Sequence, residues 1–208
     1  MSISLTDIAN LALNHVGQPP IMRLDDKDND TARIVELVFE PAIREMGRDH
    51  EWNCLAMRAD LPQLANKPAF GYEFQYRMPV EAIRALVVNG HRVGKATSLF
   101  RIEGRDILTD ADSMQLQYIG FTSDSTVYDP MFVEAAATLI ASKIAIHIRQ
   151  DEALAQALYQ KYTQSILPKA RKVDGNERNK APYDGREQSR SLQSRRTGTR
   201  NGAVRTDS

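Results

Sequence analysis

The sequence has little that could form covalent cross-links or cysteine-rich metal sites. Its 208 residues include a single cysteine, Cys54, which excludes an internal disulfide and a zinc site built from several cysteines. Folding in an oxidising compartment is therefore not expected. No apolar run approaches the roughly 20 residues that a membrane helix needs, so we expect no membrane-spanning segment. The first residues lack a basic stretch followed by an apolar one, so a secretory signal is not expected either.

Apolar residues make up 42% of the chain and charged residues 26%, which is typical of globular proteins. The net charge of zero, from 27 basic and 27 acidic residues, conceals an uneven distribution. Residues 169–208 contain 11 Lys and Arg against 5 Asp and Glu, which leaves 16 basic and 22 acidic residues in the first 168. The sequence thus predicts an acidic body and a basic C-terminal segment that meets a partner or a neighbouring copy.

Four segments carry apolar residues at helical spacing. The first begins with a capping-box pattern at Ser4 and Asp7 and ends at Gly17. The second is expected to begin at Asn29 or Asp30 and to end near His50. The third opens on Asp129-Pro130, a cap followed by a proline in the first turn. The fourth carries Leu154, Leu158, Tyr162 and Ile166, and Pro168 is expected to end it.

Between Cys54 and Tyr128 the apolar period changes from 3.6 to 2, which predicts about five short strands. The predicted strands fall near residues 72–76, 83–88, 100–102, 107–108 and 114–118. Asn89-Gly90 and Gly104-Arg105 have the composition of two-residue hairpin turns. A small antiparallel sheet or barrel fits this pattern.

These elements predict an α+β fold. We expect residues 1–52 and 129–168 to form a four-helix bundle, with residues 53–128 inserted as a small antiparallel β subdomain. We expect residues 169–208 to form an extended, basic C-terminal arm. The arm has too few apolar residues to offset its ordering entropy, so we expect it to be disordered when the protein is free.

No motif predicts catalysis, a metal site or a cofactor site. Asp26, Asp28 and Asp30 resemble the start of a calcium loop, but Thr31 replaces the required glycine and Leu37 the bidentate glutamate. Gly94-Lys95 lacks the first glycine and the Ser or Thr of a phosphate-binding loop. The four histidines are not at metal-ligand spacing, and no serine lies in a nucleophile-elbow pattern. We therefore expect a protein that is not an enzyme.

The basic arm has three interpretations on composition alone. It could be a solubilising end, a segment that neutralises nucleic-acid phosphates, or a segment that folds onto a protein partner. The alternative function is therefore a nucleic-acid-binding regulatory protein with a basic tail, which salt-sensitive binding to duplex DNA would reveal.

The order of several short motifs resembles the tail tubular protein A family, the head-to-tail adaptors of short-tailed bacteriophages. The resemblance covers about residues 4–168. It rests on the succession Val16-Gly17-Gln18-Pro19-Pro20-Ile21, Glu51-Trp52-Asn53-Cys54-Leu55-Ala56, Arg58-Ala59-Asp60-Leu61, Phe74-Gln75-Tyr76-Arg77-Met78-Pro79, Ile102-Glu103-Gly104-Arg105-Asp106-Ile107-Leu108-Thr109-Asp110 and Asp129-Pro130-Met131-Phe132-Val133-Glu134-Ala135.

The resemblance implies a structural virion protein in the tail or neck, assembled in the host cytoplasm. Such adaptors form a homo-oligomeric ring, typically of twelve copies, between the portal protein and the tail nozzle, tail tubular protein B. The ring extends the DNA channel and helps to retain and eject the genome. The genomic DNA passes through the lumen without sequence-specific contact, and the resemblance implies no membrane partner. An adaptor of a long-tailed phage is a near neighbour within the same class.

The resemblance also implies that a C-terminal extension reaches the portal. On this basis the arm is predicted to dock on the portal. The predicted docking residues are Lys169, Arg171, Lys172, Arg178, Tyr183, Arg186, Arg190, Arg195 and Arg196.

Overall fold

A computed structural model describes residues 3–94 and 98–177. They form five α-helices: α1 (Leu5–His15), α2 (Asp30–Asp49), α3 (Pro130–Arg149), α4 (Glu152–Lys161) and α5 (Leu167–Glu177). They also form seven strands: β1 (Ala56–Leu61), β2 (Phe74–Arg77), β3 (Ala82–Val88), β4 (His91–Arg92), β5 (Phe100–Glu103), β6 (Asp106–Thr109) and β7 (Met114–Gly120). The chain divides into two units, residues 1–175 and 176–208.

The predicted starts of the helices are confirmed. Ser4 and Asp7 form a full capping box on α1. Asn29 caps α2 through the backbone N–H of Ala32, and Asp129 caps α3 through the N–H groups of Met131 and Phe132. Each cap satisfies backbone donors that the helix itself cannot pair.

The predicted four-helix bundle is wrong. The described residues form a mixed fold of helices and two antiparallel sheets, in which α1, α2 and α4 each pack against α3. Twelve of the 20 residues of α3 are buried, on several sides of the helix. A helix that is apolar on most sides occupies the centre of a fold, whereas a bundle helix presents a single stripe. The apolar spacing of the sequence predicts a single stripe on this helix, formed by Val133, Ala136, Ala137, Ile140, Ile144 and His147. That stripe is only part of the buried surface, and His147 is exposed.

Helix α3 is also long and apolar enough to cross a membrane, with a mean hydropathy of 1.5 over an 18-residue window. That window is 67% buried inside the fold, which is equally typical of a core helix. Length and composition alone are therefore weak grounds for a membrane span.

The strands form two antiparallel sheets rather than one. The first sheet has the order β1-β7-β3-β4, and the second has the order β2-β6-β5. Both predicted hairpins are confirmed, because Val88 pairs with His91 and Glu103 pairs with Asp106, leaving two-residue turns. Asn89 and Gly90 both have positive φ, as a type I′ turn requires.

The structure contains two apolar cores. One lies among the helices and includes Trp52, Phe132 and Ile43, and the other lies among the strands and includes Tyr76, Ile107 and Leu116. Strand β7 contributes side chains to both cores, because Leu116 and Tyr118 belong to the strand core while Ile119 belongs to the helical core. Alternation along a strand sends successive side chains to opposite faces.

The C-terminal helical region extends beyond the predicted end at Pro168. A π-helical turn, Tyr162–Ile166, joins α4 to α5, and the N–H of Leu167 donates to the carbonyl of Tyr162 five residues earlier. A proline inside an α-helix removes one hydrogen bond and clashes with the carbonyl four residues earlier. The π turn changes the pairing at that point, so the chain stays helical through Pro168. Residues 169–177 are therefore helical, and the rest of the predicted arm lies outside the described residues.

Candidate interaction site at the C-terminal helix

Helix α5 is held against the body by one face. Leu167, Ala170 and Asp174 are the buried residues of this helix, and their spacing of three and four places them on the same side. Lys169 and Lys172 lie between them and are exposed. The helix therefore has a bound face and a cationic face that is open to solvent.

Asp174 is the centre of a hydrogen-bond network with the segment that follows α2. Its Oδ1 accepts from the backbone N–H of Asn53 at 2.7 Å, and its backbone carbonyl accepts from the side-chain amide of Asn53 at 2.8 Å. The Nε2 of His50 lies 2.9 Å from Asp174 Oδ2. Only 8% of Asp174 is exposed, so these partners replace the water that a carboxylate needs.

Arg171 forms the second link, an ion pair with Asp49 at the end of α2. Its side chain is about one-third exposed and that of Asp49 about half exposed. Ion pairs at such exposure contribute about 0–1 kcal/mol, so the buried Asp174 network is the stronger attachment. Because Arg171 is engaged inside the molecule, it is a weaker docking candidate than Lys169 and Lys172.

The ring system beside this attachment is rigidly packed. Trp52 is buried, donates from its indole N–H to the carbonyl of Met46 at 2.9 Å, and contacts the rings of Phe132 and His50 edge-on. Tyr162 lies in the π-helical turn before α5 and belongs to the helical core. Burial raises the pKa of its phenol, and the carboxylates of Asp49 and Glu45 add to the effect. The attachment point of α5 thus rests on the helical core.

Cys54 lies in the same region and is not activated. Burial is the main cause that raises the pKa of its thiol to about 12. A reactive cysteine needs the opposite shift, because the thiolate is the nucleophile. Among residues 3–94 and 98–177, no group of three or more His, Cys, Asp or Glu is placed to hold a metal ion.

The structure places three of the nine predicted docking residues, Lys169, Arg171 and Lys172, on α5. The other six, Arg178, Tyr183, Arg186, Arg190, Arg195 and Arg196, lie outside the described residues. Sequence reasoning missed His50, Asn53 and Asp174 as the residues that fix the helix. The sequence contains only a weak indication of this role, because Asp174 follows Leu167 and Ala170 at the spacing of one helix face.

Compared with known proteins, the chain matches no family model and no curated protein. The resemblance to the tail tubular protein A family therefore stays a prediction.

Proposed function

We propose that this chain is a structural virion subunit, a head-to-tail adaptor that forms a ring between the portal protein and the tail nozzle. The ring of twelve copies extends the DNA channel and helps to retain and eject the genome. It belongs to the tail or neck of the virion and assembles in the host cytoplasm. This proposal follows the resemblance in motif order over residues 4–168.

The observation that carries the proposal is the separation of charge along the chain, combined with the attachment of α5. Residues 178–208 contain 8 Lys and Arg against 3 Asp and Glu. The helix that leads to them is fixed to the body by Asp174 and Arg171. A basic segment that follows such a helix in the sequence is suited to dock on a separate acidic protein surface.

The character of the body supports a structural subunit. The single thiol is half-buried, and burial raises its pKa to about 12, and the large cores contain few polar side chains. Net negative charge on the first 168 residues suits a channel wall that repels the DNA backbone and lets it slide. Ring closure then needs two different patches on each copy.

The test replaces four arginines of the arm in the full-length chain with glutamine: Arg186, Arg190, Arg195 and Arg196. We expect this variant to fold normally and to lose binding to the portal ring encoded by the same genome, as measured by co-sedimentation. A matched control replaces four exposed arginines of the body, Arg23, Arg33, Arg58 and Arg101, with glutamine. The control removes the same charge and should bind the portal ring as the unaltered chain does.

Equal binding by the arm variant and the unaltered chain would contradict the docking role. Strong, salt-sensitive binding of the unaltered chain to duplex DNA, lost in the arm variant, would instead favour the nucleic-acid-binding alternative. Truncation after Pro168 is not a suitable test of the arm, because it would also remove Ala170 and Asp174, the buried residues by which α5 packs against the body.

A further inference from the structure

A cleft rich in arginine lies where the C-terminal end of α2 meets β3 and β4. Its volume is about 520 Å³, and Arg48, Arg84 and Arg92 line it together with Glu51. Met78, Ile83 and Leu86 add apolar surface to the lining. Three arginines and one glutamate give this arginine cleft a net charge of +2.

The arginines of this cleft are incompletely paired within the molecule. Arg92 forms an ion pair with Glu51 at 2.5 Å. Within the described residues, neither Arg48 nor Arg84 forms a salt bridge, and the buried Nε of Arg84 has no hydrogen-bond partner. A buried donor without an acceptor is unfavourable, and arginines without acidic partners attract an acidic group.

An acidic loop lies at the other end of α2. Residues 22–30 contain Asp25, Asp26, Asp28 and Asp30 against Arg23 and Lys27, a net charge of −2. The first residue of this loop, Met22, is 91% exposed. The acidic loop therefore has the opposite net charge to the arginine cleft and one exposed apolar side chain.

The loop cannot enter the cleft of its own molecule. Asp30 begins α2 and Arg48 lies in its last turn, so the helix separates them by about 27 Å at a rise of about 1.5 Å per residue. The two complementary surfaces thus lie at opposite ends of one rigid element. An acidic loop that fills this cleft therefore comes from another copy.

We propose that the acidic loop of one copy docks in the arginine cleft of the next copy. The contact is heterologous, because each copy gives its loop to one neighbour and its cleft to the other, and repeated contacts of this kind close into a ring or extend as a filament. The proposal rests on the proposed function as a ring subunit and assigns the residues of its repeating contact.

The test uses two full-length variants whose altered side chains are exposed. The cleft variant carries Arg48→Glu and Arg92→Glu, and the loop variant carries Asp25→Lys and Asp28→Lys. We expect each variant alone to self-associate more weakly than the unaltered chain, with a dissociation constant raised by about tenfold or more. Sedimentation velocity over a concentration series at low and high salt measures this, and circular dichroism checks folding.

An equimolar mixture of the two variants should recover association. In the mixture, each unaltered loop meets an unaltered cleft, and each basic loop meets an acidic cleft. A control variant with Asp60→Lys and Asp112→Lys, two exposed acids outside the acidic loop, changes the net charge as the loop variant does. It should associate like the unaltered chain.

Three results would overturn the proposal: an unaltered chain that stays monomeric throughout the low-salt series, a mixture no better associated than its components, or a control that fails as the loop variant does. None of these results bears on docking of the basic arm. The portal-binding test of the arm variant therefore succeeds or fails separately.

Discussion

Asp174 shows how one side chain can fix a whole helix. It is a buried acid in a segment whose other charges are mostly basic. Its carboxylate accepts from the backbone N–H of Asn53 and from His50, and its backbone carbonyl accepts from the Asn53 amide. These contacts join residues more than 120 positions apart. They therefore hold α5 against the C-terminal end of α2 and the residues that follow it.

Replacing Asp174 with alanine should lower the free energy of unfolding by about 1–3 kcal/mol, because the Asn53 N–H and the His50 ring lose an acceptor that is only 8% exposed. Urea unfolding followed by circular dichroism measures the change. Asp112→Ala, at an exposed acid, is the control and should change stability by no more than about 0.5 kcal/mol. Equal effects of the two substitutions would show that the network contributes little.

The role of Asp174 could not be predicted from sequence. In the sequence it counts only as one of 5 acids among 11 basic residues, and its partners become neighbours only when the two ends of the chain pack together. By contrast, Cys54 has no second cysteine or activating motif near it in the sequence, and in the structure burial raises the pKa of its thiol to about 12.

At the scale of the element, the sequence correctly predicted the helix starts, which depend on hydrogen bonds between residues close together in the chain. Helices α1, α2 and α3 begin at the expected caps because each cap is a hydrogen bond between residues at most three positions apart. Strand β1 was missed, because Ala56–Leu61 has an exposed face and contains alanine and aspartate, which strands rarely favour. It is a strand through its pairing with β7, which no local pattern reveals.

The capping box of α1 should give a measurable pH dependence. Hydrogen bonds from the backbone N–H and the hydroxyl of Ser4 hold the pKa of Asp7 below its ordinary value of 3.8. A carboxyl with a lowered folded-state pKa stabilises the fold above its unfolded pKa, and this contribution is lost as the pH falls through the folded value. Asp7→Ala should therefore cost about 0.5 kcal/mol at neutral pH and progressively less in acid.

Urea unfolding of Asp7→Ala and the unaltered chain at a series of pH values from neutral to acidic measures this difference. Asp112→Ala is again the matched control, since Asp112 is an exposed acid that caps no helix. A difference between Asp7→Ala and the unaltered chain that stays constant down to the most acidic pH would contradict the role of the carboxylate in the cap.

At the scale of the whole molecule, the error in the predicted fold has a single origin. Helix α3 was assigned one apolar stripe, but its many alanines bury further sides of the helix. Small side chains allow α1, α2 and α4 to approach one central helix. Periodicity describes a helix with one buried face well, and it fails for a helix that is surrounded.

The two cores are connected through closely packed contacts. Gly47 of α2 faces β3 and β7, and a Cβ at that position would lie 2.7 Å from Ile83 Cδ1 and 3.1 Å from Ile119 Cγ2. Helix α2 and the first sheet are therefore in direct contact at Gly47, where an added Cβ would require Ile83 to shift. Together with the two faces of β7, this contact indicates that the cores unfold as one cooperative unit.

The single tryptophan makes this cooperativity testable. Trp52 lies in the helical core, whereas Ile107 is fully buried in the strand core. Ile107→Ala removes buried apolar volume and should cost about 2–5 kcal/mol. If the cores unfold together, Trp52 fluorescence should report that entire loss of stability as a shift of its unfolding transition to a lower urea concentration.

Leu37→Ala, at a side chain that is 78% exposed, is the control and should leave the transition nearly unchanged. An unmoved Trp52 transition in Ile107→Ala, with circular dichroism showing an earlier loss of the strands, would mean that the strand core unfolds independently and that β7 does not couple the two halves.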